Sequence, residues 1–203
     1  MNGPDAYYSS ADQTLGSSSS IIRREGCTVS AWTRTINTKN GNNLNTPLTV
    51  GGPGSPYVNS DGNLDRQAAY NSLTGSNAVV YQVSNTVGNP SAVAEALKTL
   101  QGSESQYYVT GRAKIETGGH EVNIYRVSVS DNGSIDIAVS GTSQYDSGRK
   151  YLLADPKAKD EFKIDTIYYV AKGTNDVYIP DAIAYPPSGK GGDVEDSSSS
   201  CGK

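Results

Sequence analysis

The chain has 203 residues, a formal net charge of −4, 14 tyrosines against a single phenylalanine, and only 35 % hydrophobic residues. That length fits one domain, or one domain with a tail, and so few apolar residues fill one modest core built largely from tyrosine rings. A pI of about 5.0 without any dense Lys/Arg run removes the footing for nucleic-acid binding, and no apolar run approaches the ~18 residues of a membrane helix.

The start, Met1-Asn2-Gly3-Pro4-Asp5, shows no Sec-type signal, with neither a charged n-region nor an apolar h-region. The low-charge Asn/Ser/Thr/Tyr/Gly texture points to an extracellular or virion-associated protein, or to a delivered effector. Residues 1–20 read as a polar lead-in ending in Gly16-Ser17-Ser18-Ser19-Ser20. Ile21-Ile22 and the cations Arg23-Arg24 then precede Gly26-Cys27. Over 27–37, Val29, Trp32 and Ile36 recur at helical spacing, so a helix is expected to begin at the cysteine. Thr38 to Asn63 reads as loop. Leu64 to Leu73 is a second helix, with Asn63 as candidate N-cap and Gly75 as stop.

Asn77 to Val83 alternates like a strand. Ser91 to Leu100 has the strongest helical signature, from a Ser at the N-cap to Gly102 beyond its end. Strands follow over 106–115, 122–130, 134–139, 162–170 and 177–179, with Asp131-Asn132-Gly133 as a hairpin turn. Helices first and an antiparallel sheet afterwards describe an α+β domain over 1–186. Pro186-Pro187 marks its end, and 187–203 is a Ser/Gly-rich tail with disordered composition.

His120 is the chain's only histidine, so any chemistry needing an imidazole must use it. A thiolate is the competent nucleophile of cysteine, and a helix N-terminus or a neighbouring imidazolium lowers the thiol pKa from its usual ~8.5. Cys27 has the first feature by expectation, and His120, after Gly118-Gly119 at a strand start, could supply the second. The competing reading is a Cys27–Cys201 disulfide, the less favoured one because Cys201 lies in so polar a tail. With one histidine and one cysteine outside that tail no transition-metal site is expected, and no cofactor is implied. Asn59-Ser60-Asp61-Gly62-Asn63 lacks the downstream glutamate of a calcium loop, and Gly51-Gly52-Pro53-Gly54 lacks the Lys-Ser/Thr of a phosphate loop.

The order of short motifs resembles the papain-like fold of the bacteriocin-processing (double-glycine) peptidase-like family over roughly residues 7–140. Tyr7-Tyr8-Ser9-Ser10-Ala11-Asp12, Glu25-Gly26-Cys27-Thr28-Val29-Ser30, Thr46-Pro47-Leu48, Asp61-Gly62-Asn63-Leu64 and Gly119-His120-Glu121-Val122 carry the resemblance. It implies a papain-like cysteine peptidase fold, with N-terminal helices packed on a C-terminal antiparallel β-sheet. It further implies Cys27 as nucleophile and His120 as general base. Their separation is shorter than the ~130–150 residues of papain-type chains. Ser10 stands where the family has its oxyanion-donating glutamine, and Gln13 follows three positions later as the second candidate. Asp136 is the expected imidazole-orienting residue, with Ser140 as competitor. Strand alternation puts these two on one face and excludes Val139 if Asp136 points inward.

The implied activity is hydrolysis of a peptide or amide bond through a Cys27 thioester, in a toxin, phage-borne or lytic setting. The substrate would be a peptide or a peptidoglycan-like cross-link, and an immunity or carrier protein the partner. The alternative is a catalytically weak or inactive papain-like domain, serving as a structural or binding module of a virion or secretion apparatus.

Overall fold

Helix α1 (Cys27–Asn40) buries Val29, Trp32 and Ile36 along one side, as their spacing requires. It runs past the expected end at residue 37 and stops at Gly41. There a left-handed φ of 65° lets the N–H reach the Asn37 and Thr38 carbonyls. The computed structural model describes residues 12–22, 26–102, 106–115, 118–140, 151–153, 162–173, 179 and 182–184.

The stretch from Thr38 to Asn63 is not all loop. It holds a short helix, α2 (Pro47–Gly51), whose start is fixed by a reciprocal pair of bonds between Thr46 and Thr49 and by Pro47 in the first turn. A Cβ at Gly51 would come within 2.6 Å of the Val29 side chain, so glycine there permits α2 to pack directly on α1. Helix α3 (Arg66–Thr74) is capped by Asp65, whose carboxylate accepts from Ala68 N at 3.0 Å, and not by Asn63.

Strand β1 (Val80–Ser84) precedes helix α4 (Ala92–Leu100). Ser91 sits at the N-cap of α4, but its hydroxyl bonds Glu95 Oε1 at 3.2 Å and caps no backbone N–H. The remaining strands are β2 (Tyr107–Ile115), β3 (Gly118–Val129), β4 (Ile135–Ser140), β5 (Tyr151–Leu153), β6 (Phe162–Ala171) and β7 (Ile183–Ala184). They form one sheet in the order β4-β3-β2-β6-β1-β7. Every pair along that order is antiparallel, and β5 joins β6 in parallel. The 131–133 turn closes the β3–β4 hairpin, with Gly133 at φ 81°. Of the strand expected over 177–179, only Ile179 is described; it is buried and belongs to no strand.

The fold is therefore α+β, but its core lies on both faces of the sheet. Helices α1 to α3 pack on one face around Trp32, Tyr70, Val80 and Tyr168. Helix α4 covers the other, where Val93, Leu97 and Leu100 meet Val122, Ile124 and Ile164. Tyr70, Tyr107, Tyr168 and Tyr169 are all buried, so rings make up much of the core, as the composition required. No helix among the described residues is long and apolar enough to cross a membrane.

Candidate active site at the start of α1 and β3

Cys27 is the first residue of α1 and is buried. Gly26 precedes it because a Cβ at that position would strike the Ile22 carbonyl, which accepts the Gly26 N–H at 2.8 Å. The first turn of α1 has no carboxylate and no side-chain cap. A helix start of this kind favours negative charge at the Cys27 sulfur whenever that sulfur is a free thiol.

Cys27 Sγ lies 3.8 Å from the carbonyl oxygen of Gly119, and the next residue is His120, also buried. The fold thus brings the helix start and the strand start to one place. The guanidinium of Arg112 lies over Gly119, a flexible group that would have to shift to admit a Cβ there. Regular pairing of β3 with β2 through Gly118–Ile124 sets the alternation of β3. Glu121 and Asn123 face α1, while His120 shares its side with Val122.

Three expectations need correction or relocation. First, Cys27 is disulfide-bonded, and no free cysteine remains among the described residues. Cys201, the chain's other cysteine, lies outside them. In this state the Cys27 sulfur becomes a nucleophile only after reduction.

Second, Asp136 does not orient His120. It is exposed and pairs with Ser128 on β3, eight residues beyond the histidine, which is ~26 Å at the ~3.3 Å rise of a strand. The long arms of the β3–β4 hairpin carry it away from the site. Ser140 pairs with Asn123 and lies nearer the level of His120, ~10 Å along the strand.

Third, Ser10 lies outside the described residues, whereas Gln13 is exposed and its carbonyl accepts from Ile22 N at 2.9 Å. Through Ile22, the backbone of Gln13 connects to the turn that starts α1.

The feature that sequence reasoning missed is Glu121. It is 1 % exposed, and its carboxylate accepts side-chain bonds from Thr28, Trp32, Arg66 and Thr110. Trp32 Nε1 at 2.8 Å and Thr110 Oγ1 at 2.7 Å reach Oε1, while Thr28 Oγ1 at 3.0 Å and Arg66 Nη2 at 2.7 Å reach Oε2. Burial alone would raise its pKa, but the charge of Arg66 and the bonds from Arg66, Thr110 and Trp32 outweigh this and hold it below the ordinary range. The Arg66 guanidinium also lies 4.0 Å from the centroid of Tyr168. The available signal was weak: polar residues alternating on β2 and β3 look like a solvent face until a helix covers them.

Among the described residues, no group of three His, Cys, Asp or Glu side chains could hold a metal ion. Comparison with family models, curated proteins and solved structures finds no match for this chain.

Proposed function

We propose that the chain is a papain-like cysteine peptidase or amidase domain, with the reduced form of Cys27 as nucleophile and His120 as base. The observation that carries this reading is the 3.8 Å approach of Cys27 Sγ to the carbonyl just before His120, at a helix start with no side-chain cap. In the proposed reaction the thiolate attacks the amide carbon. N–H groups at the start of α1, with Gln13 or Ser10, would donate to the resulting oxyanion. His120 then protonates the departing amine, and in the second half it deprotonates the water that hydrolyses the thioester.

A peptide or a peptidoglycan-like cross-link is the substrate class, in a toxin, phage or lytic context with an immunity or carrier protein as partner. The oxidised Cys27 fits a secreted or virion-associated location, because disulfides persist in oxidising surroundings. The test is hydrolysis of peptide mixtures and of purified peptidoglycan by the reduced chain. Turnover should vanish in Cys27→Ala, and turnover that survives it rejects the reading.

The second reading is an inactive papain-like module of a virion or secretion apparatus. Three observations favour it: Cys27 is oxidised, Asp136 stands far from His120, and strand alternation puts the His120 side chain on the side of Val122, opposite the face that α1 covers. It predicts no hydrolysis in any redox state.

A further inference from the structure

We propose that Glu121 is the positioning residue of this site, holding Cys27 against the start of β3 by tying together the residues that follow Cys27 and His120. The inference rests on the thiol–imidazole reading. Glu121 follows His120 on β3, and Thr28 follows Cys27 on α1; the bond between their side chains is 3.0 Å long. Trp32, one turn further along α1, donates to the other carboxylate oxygen at 2.8 Å. Two bonds one turn apart fix both the rotation of α1 and its height above the strand. Arg66 and Thr110, from α3 and β2, hold the carboxylate itself.

A second link runs parallel to the first. Asn123 Nδ2 donates to Ala31 O at 3.0 Å and to Thr35 Oγ1 at 2.9 Å, so strand positions 121 and 123 engage successive levels of the helix. A buried ion pair is often no more stabilising than apolar residues of similar volume, so general stability is a weak reason for one here. What it supplies is direction. Apolar packing tolerates a sliding helix, whereas a four-donor carboxylate does not. A shift of ~1 Å between reacting groups can cost ~10²-fold in rate.

The test uses the full chain, reduced and desalted, and reads iodoacetamide labelling of Cys27 and Cys201 separately by mass spectrometry across pH 5 to 10. Wild-type Cys27 should label well ahead of Cys201 at pH 6. Thr28→Val, which removes one donor and leaves Arg66 paired with Glu121, should slow Cys27 about tenfold and move its pH midpoint toward the ~8.5 of a free thiol. Thr28→Ser should restore both, and Glu121→Gln, where it folds, should lose at least as much as Thr28→Val. A folded Thr28→Val protein with the wild-type rate and midpoint overturns the positioning role while leaving the thiol reading intact. Wild-type Cys27 labelling no faster than Cys201 overturns the thiol reading itself.

Discussion

The two faces of the sheet are held by different physics, and β3 shows the contrast within a few residues. Val122 and Ile124 enter the α4 face, where Leu97, Leu100 and Ile164 surround them with apolar groups. Glu121 and Asn123 enter the α1 face and meet hydroxyls, an indole N–H, a guanidinium and a backbone carbonyl. Burial on the α4 face is non-directional and stabilises roughly in proportion to area. On the α1 face, each bond has a partner and an angle, so α1 is held where it stands. The directed face is also the one that carries Cys27.

Four substitutions sharpen this contrast, from the largest expected effect to the smallest. Glu121→Gln removes the carboxylate charge that faces the buried Arg66 and should destabilise by about 3–5 kcal/mol in urea unfolding near neutral pH. The sign of its pH dependence follows from the lowered pKa of Glu121. Its stabilisation is present above the ordinary unfolded value of ~4.3 and is lost as pH falls through the folded value. Wild type should therefore lose stability on acidification, and the variant should lose less.

Leu97→Ala, on the apolar face, should cost about 3 kcal/mol by opening a cavity, by a similar amount at pH 4 and pH 7. Asn123→Ala removes one of the links to α1 and should cost about 1–2 kcal/mol, with faster hydrogen exchange confined to α1.

Tyr70→Phe should change stability by less than about 1 kcal/mol at neutral pH, because the buried Tyr70 hydroxyl has no hydrogen-bond partner within bonding geometry among the described residues and its contact with Ser76 offsets little of the burial. Burial, with a smaller contribution from Tyr108, raises the Tyr70 pKa to about 12. Its contribution is thus complete below an unfolded value of ~10 and is lost as pH rises through about 12. Alkaline unfolding in that window should be shallower in the variant.

Local signals made much of this fold legible in advance. Val29, Trp32 and Ile36 marked α1, and Gly133 marked the β3–β4 turn, because periodicity and turn chemistry act over a few residues. Helix α2 was hidden by its Asn/Gly/Pro surroundings, although Thr46 and Thr49 hold its cap. Motif order pointed to a pairing of Cys27 with His120; the contact present is between Cys27 Sγ and the Gly119 carbonyl, one residue before the histidine.

Two features were not legible, for the same reason. Arg66 and Glu121 are 55 residues apart, and only the stacking of α3, α1 and β3 joins them. Asp136 was placed by counting residues from His120, but pairing register sets distance in a hairpin, and the register matches it to Ser128.

The central claim is that reduced Cys27 is a thiolate sustained by His120. Its most direct test is the Cys27 alkylation rate at pH 6, in reduced wild type and in His120→Asn, with Cys201 as internal reference. A free thiol of pKa ~8.5 is almost wholly protonated at that pH. Labelling should be fast in wild type and fall to the Cys201 rate in the variant. Equal rates for Cys27 in the two proteins would contradict it.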